Sequence, residues 1–329
     1  MDVIHFPEDP RPASWRSPVL ALGNFDGLHR GHVKIIERIQ RGAAERGGTS
    51  LVLTFDPHPP RIVRPDKAPP LLMTKVQKLD ALARAGVQGA AVVRFTREMS
   101  QWEPETFVRT VLVDWLRVAE FWVGADFLFG RERSGNFTLL RSLGATHGFR
   151  AEKIDPIRYK DFLVSSTRIR RLVSEGRVDE AGALLGHHYA IDGQVVEGAK
   201  RGRELGFPTA NLVTHNELLP PHGVYATAIT IDGRLHPSVT NIGQRPTFGD
   251  QLATTVETHV IGADAASPIT PSPKPQAPSP HLDLYGRTLH LAFVQRLRDE
   301  RKFPDLEALQ EQIAADVRRA TRLFDRLSV

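Results

Sequence analysis

The chain has 329 residues, too many for one typical core, and its length suits two domains. Its 41% hydrophobic and 25% charged residues are typical of a globular protein. The absence of cysteine excludes disulfides, thiolate nucleophiles and cysteine-based metal sites. The 43 lysine and arginine residues exceed the 38 acidic residues by only five, an excess too small over this length to favour nucleic-acid binding.

The first predicted elements are a strand, a glycine-rich turn and a helix. The apolar run Val19–Leu22 is bounded by Pro18 and Gly23 and predicts a buried strand. A helix is predicted to start near Gly31, because apolar residues then recur every three or four positions. Its apolar face is Val33, Ile36, Ile39 and Ala43, and the glycines expected to close it are Gly42, Gly47 and Gly48. Residues 51–55 predict a second strand, which completes a βαβ unit.

The turn between this strand and helix, residues 23–32, has the sequence GNFDGLHRGH and suits the binding of a phosphate group. Glycines let the backbone approach a ligand closely, and the free N–H groups at a helix N-terminus attract anions. His29 and His32 are three residues apart and therefore share one face of the helix start. The alternative is that the two histidines only cap the helix or lie in solvent.

The pattern GxFDGxHxGH in this turn resembles the signature of nucleotidyltransferases that transfer AMP or CMP from a nucleoside triphosphate and release pyrophosphate. Its form is similar to that of the flavin branch, the FAD synthetases. The resemblance implies that His29 and His32 are catalytic. It also implies an ATP-binding set of Gly23, Phe25, Asp26, Gly27 and Gly31.

A proline-rich segment with the sequence TFDPHP follows the second strand, where an open α/β sheet places its ligand loops. Asp56 and His58 could face the crevice there, or the prolines could simply form a turn. The FAD synthetases carry the same string, which implies a flavin-binding role for Asp56 and His58. Helices over 74–85 and 107–116, with a strand over 90–95 between them, predict a parallel, doubly wound sheet.

Two later segments complete the resemblance in the first half of the chain. Residues 121–130 predict a strand that ends in glycine, aspartate and aromatic residues, and with Gly135 they match VGxxFxFGxxxxG. That match implies nucleotide binding by Asp126, whereas residue types alone favour a structural role. Residues 164–170 resemble the second signature of the superfamily, ISSTxxR, which implies catalytic roles for Ser166, Arg168 and Arg170. The serines could also serve only as helix caps.

Beyond residue 185 the predicted strands become short and alternating, which suggests a small antiparallel barrel. Residues 198–211 combine glycines, basic residues and a hydroxyl group that could wrap a polyphosphate, although a flexible basic loop is the alternative. The string GRxLGFPTAN closely resembles riboflavin kinase. The resemblance implies ATP binding by Gly198, Gly202, Arg203, Gly206 and Pro208, and Mg²⁺ binding by Thr209 and Asn211.

Further downstream, the same resemblance implies flavin binding by Asn241 and Arg245, and it makes Glu257 the general base for a neutral ribityl hydroxyl. A departure from the family is the segment of about 262–281, whose six prolines predict an extended, disordered insertion. A terminal amphipathic helix is predicted from the apolar spacing, with Pro304 as its initiator. Its apolar positions are Leu306, Leu309, Ile313, Val317, Ala320 and Phe324.

Together these features predict a Rossmann-like α/β nucleotidyltransferase domain over 1–184 and a small antiparallel β-barrel kinase domain with a C-terminal helix over 185–329. The resemblance implies a bifunctional riboflavin kinase and FAD synthetase with ATP, riboflavin and FMN as substrates and FAD as product. Alternatives are a transferase with another phosphorylated acceptor, or a flavin-binding regulator or nucleic-acid binder descended from the enzyme. The sequence shows no transmembrane segment or signal peptide, so we expect a cytoplasmic protein without membrane or nucleic-acid partners. The sequence leaves open whether the protein forms a homo-oligomer.

Overall fold

In the computed structural model, the first part of the chain builds a six-stranded sheet and the second part builds a closed barrel. The structure describes residues 1–198, 202, 205–246, 252–262 and 284–327, with only the backbone at 245, 246, 252 and 253. The predicted proline-rich insertion at about 262–281 therefore lies outside the described residues, apart from Gly262. Two units are resolved by their internal contacts, Met1–Ser166 and Thr167–Val329.

The first unit alternates strands and helices, as the sequence predicts. Its strands are β1 (Asp2–Phe6), β2 (Val19–Leu22), β3 (Ser50–Asp56), β4 (Gly89–Arg94), β5 (Glu120–Gly124), β6 (Arg150–Ile154), β7 (Arg158–Tyr159) and β8 (Phe162–Leu163). Its helices are α1 (Arg30–Arg46), α2 (Pro59–Val63), α3 (Lys75–Arg84), α4 (Pro104–Phe107), which continues with π-type turns over Val108–Trp115, and α5 (Phe137–His147). Helix α6 (Ser166–Ser174) begins at the last residue of this unit.

The main sheet has the strand order β1-β4-β3-β2-β5-β6, and all its pairs are parallel. Alternate residues of β2 enter different clusters: Leu20 packs on the side of the π-type segment and α5, while Val19 and Ala21 pack on the side of α1 and α3. Both faces are thus covered by helices, as a parallel sheet requires. Because β2 lies between β3 and β5, the chain direction across the sheet reverses there, and ligands bind at such a switch point.

Helix α1 differs in detail from its predicted face. Val33 is 38% exposed, and the buried positions are Ile35, Ile36, Ile39, Gly42 and Ala43. Gly42 does not end the helix; it lies in the interior, where a Cβ atom would come 3.1 Å from the Glu120 carboxylate. The helix ends instead at Gly47, whose φ of 58° is left-handed.

The second unit contains a closed antiparallel barrel, as predicted, in the order β10-β13-β12-β11-β14-β9. Its strands are β9 (Tyr189–Val196), β10 (Ala210–Thr214), β11 (Gly223–Ile231), β12 (Arg234–Pro246), β13 (Leu252–Val260) and β14 (Thr288–Arg298). Helix α7 (Val178–Leu185) packs against β14 and β9, and α8 (Leu306–Leu327) packs against the outside of the barrel. The boundary between the two units lies after Ser166, earlier in the chain than the predicted domain boundary at 184, because α7 packs against barrel strands. The predicted domain limits of 1–184 and 185–329 stay a prediction.

The terminal helix is present, but its start differs from the prediction. It begins at Leu306, and the Asp305 carboxylate caps it by accepting a hydrogen bond from the Ala308 N–H at 2.8 Å, so Pro304 lies outside. Leu306 is 67% exposed and does not belong to the packed face. Among the described residues, no helix is both long and apolar enough to cross a membrane.

Candidate active sites

The glycine turn predicted to bind phosphate lies at the carboxyl end of β2. The Gly23 N–H donates to the Leu53 carbonyl at 3.1 Å, which ties the start of the turn to β3. Positive φ angles at Phe25 (49°), Gly27 (88°) and Leu28 (39°) then fold the turn tightly. Phe25 is completely buried beneath it. Non-glycine residues in this conformation persist only where the surroundings hold them, so the turn is preorganised.

Asp26 is one of the groups that hold this turn in place. Its carboxylate, which is 1% exposed, accepts hydrogen bonds from the backbone N–H groups of Leu72 at 3.0 Å and Met73 at 3.1 Å. The Ser166 hydroxyl donates to the Asp26 carbonyl at 2.9 Å. Ser166 of the second signature therefore fixes the backbone of the first. The carboxylate of Asp26 holds the turn against residues 72 and 73, and its predicted contact with ATP stays a prediction.

The two histidines of the turn are stacked on each other. His29 is the N-cap of α1, and its Nδ1 accepts from the His32 N–H at 3.3 Å. The ring centroids are 3.6 Å apart with planes at 12°, which confirms that the two residues share a face. A Cβ atom on Gly31 would lie 3.1 Å from the His29 ring, so this glycine leaves room for the stack.

His32 is neutral at physiological pH. Burial lowers its pKa well below the usual value, and the neighbouring His29 and then Lys78 lower it further. Its Nδ1 atom is buried and has no hydrogen-bond partner among the described residues. A neutral imidazole with an unsatisfied buried nitrogen can bind a polar ligand by hydrogen bonding but supplies no charge.

Asp56, His58 and Asp126 lie along the same edge of the sheet, at or just after the carboxyl ends of β3 and β5. Asp56 ends β3 and pairs with the Lys75 ammonium at 2.9 Å, beside a cavity of about 410 Å³, and His58 precedes α2 and is half-buried. Asp126 is exposed in the turn after β5. Arg168 and Arg170 lie on α6 beyond Ser166 and belong to the second unit.

Lys78 is a charged residue at this site that the sequence analysis missed. It lies on α3, and its Nζ donates to the Thr54 hydroxyl at 3.5 Å, while Thr54 donates to the Asn24 carbonyl of the turn at 3.4 Å. The signal that could have found it is its place on the helix: Lys78 is followed by the buried positions Ala81 and Leu82 at spacings of three and four. A lysine on the inward side of a helix is unusual unless its charge is used.

In the barrel, strand register brings the predicted kinase residues into one row. Asn211 of β10 is paired with Glu257 of β13, which is paired with Asn241 of β12. Directly paired residues on neighbouring strands have Cβ atoms about 5 Å apart. Asn241 in turn pairs with Val224, which belongs to the apolar cluster beneath α8. The row therefore lies on the outer face of the barrel.

The inner face next to this row is filled by a chain of hydroxyl groups. Thr240 lies 2.8 Å from Thr258 and 2.7 Å from Thr227, oxygen to oxygen, and Thr227 lies 2.8 Å from Ser238; all four residues are fully buried. Because buried polar groups with satisfied hydrogen bonds are rigid, this network fixes the register of β11, β12 and β13. The register places Glu257 between Asn211 and Asn241.

Two described glycines before β10, Gly198 and Gly202, lie against Asn211 and Thr209. A Cβ atom on Gly198 would lie 2.1 Å from the Asn211 amide nitrogen, and one on Gly202 would lie 3.1 Å from the Thr209 hydroxyl. The His259 ring nitrogen Nδ1 lies 2.9 Å from the Pro208 carbonyl, and the same ring packs edge-on against Phe207. His259 therefore positions the segment, a role that the sequence analysis did not assign.

Gly206 takes a left-handed φ of 81° in the same segment. Arg203 lies outside the described residues, and at Arg245 only the backbone is described, in the pair with Ala253 of β13. The predicted roles of these two arginines therefore stay predictions.

The donors around Thr209 fit a hard divalent cation such as Mg²⁺. Thr209 carries a hydroxyl and Asn211 an amide oxygen, Asn211 is paired in register with Glu257, and Mg²⁺ prefers a few protein oxygens together with substrate phosphates. In the described part of the chain, no group of three histidine, aspartate or glutamate residues forms a cage of its own.

A cavity of about 770 Å³ lies beside the start of α8. Its lining includes Arg301, Lys302, Phe303, Ala308, Gln312 and Arg318. The preceding Glu300 reaches the same row, since a Cβ atom on Gly243 would meet both its carboxylate at 2.6 Å and the Asn241 amide at 3.2 Å. Arg298, which pairs with the buried Asp316 at 2.9 Å, anchors this segment to α8. A volume of this size suits a ring-containing ligand.

Comparisons with known proteins match both units. A family described as FAD synthetase matches residues 11–168, and one described as riboflavin kinase matches residues 185–324. The bifunctional riboflavin kinase/FMN adenylyltransferases of Pseudomonas fluorescens and Bacillus subtilis are 37% and 34% identical; each match covers 94% of this chain and 93% of the relative. A crystal structure of a protein from Streptococcus pneumoniae, described as a macrolide-efflux protein, has a TM-score of 0.81 and 25% identity, covering 96% of this chain and 97% of that one.

Proposed function

Because the chain belongs to the family of bifunctional riboflavin kinase/FMN adenylyltransferases, we propose that its two sites carry out consecutive steps of flavin synthesis with the residues assigned below. The second unit phosphorylates riboflavin to FMN with ATP, and the first unit adenylylates FMN to FAD and releases pyrophosphate. The observation that carries this function is the match of both family descriptions, in order, along one chain. Riboflavin and FMN are substrates, and FMN and FAD are products.

In the first unit, a phosphate oxygen of FMN attacks the α-phosphorus of ATP, and the bond to the departing pyrophosphate breaks. The attacking oxygen is already anionic, so no general base is needed, and catalysis consists of positioning and charge stabilisation. The N-terminus of α1, the backbone of the 23–31 turn and the stacked His29 and His32 hold the triphosphate. Asp126, Arg168 and Arg170 contribute to nucleotide binding and to charge neutralisation. Asp56 and His58 hold the flavin.

In the second unit, Glu257 accepts the proton of the ribityl hydroxyl while that oxygen attacks the γ-phosphorus of ATP and ADP leaves. Thr209 and Asn211 would hold Mg²⁺, which would neutralise phosphate charge. The glycine segment from Gly198 to Pro208 covers the phosphates, together with Arg203. Asn241 and Arg245 bind riboflavin, and the cavity beside Phe303 accommodates its ring. We further propose that the protein works in the cytoplasm on small molecules and not on nucleic acid.

The test measures both activities in two variants, each expected to lose only one of them. Riboflavin, ATP and magnesium are incubated with pure protein, and the flavins are separated by chromatography. His32→Ala should abolish FAD formation from supplied FMN while leaving riboflavin phosphorylation intact. Glu257→Gln should reduce FMN formation by about a hundredfold or more and spare adenylylation of supplied FMN.

Exposed residues of the same types provide the controls. His147→Ala and Glu307→Gln change exposed helix positions and should leave both rates unchanged. The assignment is contradicted if His32→Ala turns over FMN at the normal rate. It is equally contradicted if Glu257→Gln loses both activities to the same extent.

A further inference from the structure

Lys78 occupies a position from which its ammonium group reaches the adenylylation site. Helix α3 carries it to the carboxyl end of β3, where it donates to the Thr54 hydroxyl at 3.5 Å. Thr54 is fully buried and in turn donates to the Asn24 carbonyl of the glycine turn at 3.4 Å. Lys78 is therefore separated from the backbone of the turn by a single hydroxyl group.

The charged groups around Lys78 leave its ammonium group available to an anionic ligand. Its pKa is lowered chiefly by burial and also by Lys75, while Asp26 and Asp56 oppose that shift. Both carboxylates are engaged elsewhere: Asp26 accepts backbone N–H groups of Leu72 and Met73, and Asp56 pairs with Lys75 at 2.9 Å. Desolvating an ammonium group is costly unless it meets a partner, and an anionic ligand would be such a partner.

The neutral state of His32 increases the need for this charge. Burial, then His29 and then the nearby charge of Lys78 lower the pKa of the His32 ring, so the imidazole cannot serve as the cation of the site. Adenylyl transfer brings a dianionic phosphate to a triphosphate and leaves a new charge on pyrophosphate. Hydrogen bonds from neutral groups orient these oxygens but do not balance the charge.

We propose that the Lys78 ammonium group contacts the phosphate oxygens at the first site and stabilises the charge that develops as the FMN oxygen bonds to the α-phosphorus and pyrophosphate departs. Lys78 keeps its proton throughout; the electron pair of the broken P–O bond leaves with pyrophosphate. This inference rests on the adenylyltransferase function proposed above. It adds a catalytic residue that lies outside the two signature sequences.

The competing explanation is that Lys78 only ties α3 to β3 through Thr54. Three substitutions separate the two roles. Lys78→Met keeps the length of the side chain and removes the charge, Lys78→Arg keeps the charge, and Lys78→Gln keeps a donor for Thr54 without the charge. Lys34→Met, at an exposed lysine of α1 paired with Glu37, is the matched control.

The measurements are the steady-state rate of FAD formation from FMN, the rate of riboflavin phosphorylation in the same sample, ATP affinity by calorimetry and the melting temperature. We expect Lys78→Met and Lys78→Gln to lower kcat for FAD formation by about a hundredfold or more, with a change in ATP affinity of less than about tenfold. Lys78→Arg should keep at least about a tenth of the rate. Riboflavin phosphorylation and the Lys34→Met variant should be unaffected.

The inference is overturned if Lys78→Met and Lys78→Gln form FAD within about threefold of the wild-type rate. It is also overturned if Lys78→Met loses activity only together with a fall in melting temperature while Lys78→Gln stays active, because the hydrogen bond to Thr54 then explains the effect. Wild-type protein that makes no FAD from FMN would instead refute the proposed function. The two failures are therefore distinguishable.

Discussion

Gly198→Ala is a small substitution with a large predicted effect on one activity only. A Cβ atom at this position would lie 2.1 Å from the Asn211 amide nitrogen, 2.5 Å from its Cγ and 2.8 Å from its Oδ1, whereas ordinary contact begins at 3.4 Å. The amide nitrogen must therefore retreat by at least 1.3 Å, the difference between 3.4 and 2.1 Å. Asn211 is paired with Glu257, so its displacement disturbs the row that we assign to phosphoryl transfer.

The magnitude follows from the size of this displacement. A misplacement of about 1 Å in a catalytic group can cost about a hundredfold in rate, so we expect kcat/KM for FMN formation to fall by at least that factor. Stability should change little, because the obstructing atom is the end of a side chain and the φ of Gly198 is not left-handed. The added Cβ also reduces the entropy of the unfolded chain by about 0.4–1 kcal/mol, which offsets part of the strain.

The assay measures FMN formation from riboflavin and FAD formation from FMN on the same preparation. FAD formation should be unchanged, because the first unit does not contain Gly198. Gly233→Ala is the matched control: it places the same methyl group in the hairpin turn of the barrel, where no atom lies within 4 Å but φ is 75°. That variant should lose about 1 kcal/mol of stability and keep both activities. A Gly198→Ala protein that phosphorylates riboflavin within about threefold of the normal rate would refute the reasoning.

Two further predictions concern the first unit. Arg46→Met should lower the free energy of unfolding by about 3 kcal/mol, because it leaves the buried Glu120 carboxylate without the guanidinium that now pairs with it at 2.8 Å. Adding Glu120→Gln to this variant should recover at least half of the lost free energy, since the uncharged amide oxygen still accepts a hydrogen bond from Trp122. Urea unfolding of the single and double variants checks this, and a double variant less stable than Arg46→Met contradicts it. Below pH about 6.5 the unfolded chain protonates His32 while the folded protein does not, so stability is full above that pH and falls as the pH drops towards the lowered pKa. Relative to His32→Gln, the wild type should lose up to about 1.4 kcal/mol per pH unit in this window, and parallel stability curves would disprove the shift.

Much of the fold could be predicted because the patterns are local. The strand Val19–Leu22 and the helix that follows it depend on residues within one stretch, and the structure confirms both. The finer predictions failed where tertiary contacts decide. Val33 fits the period of α1 but points away from the sheet, and Gly42 lies inside the helix because Val19 and Glu120 approach it there. Ala210–Thr214 forms a strand that the sequence analysis had assigned to the motif alone.

The sequence by itself determined the chemistry that contiguous motifs can carry. His29 and His32 stack because Gly31, between them, has no side chain, and that relation exists within four residues. The tertiary structure alone decided which distant groups join them. Lys78 meets Thr54, which in turn bonds to Asn24, because α3 packs beside β3. Asn211, Glu257 and Asn241 form a row because of the barrel's register. Contacts between residues far apart in the chain depend on strand order and register, which local spacing does not encode.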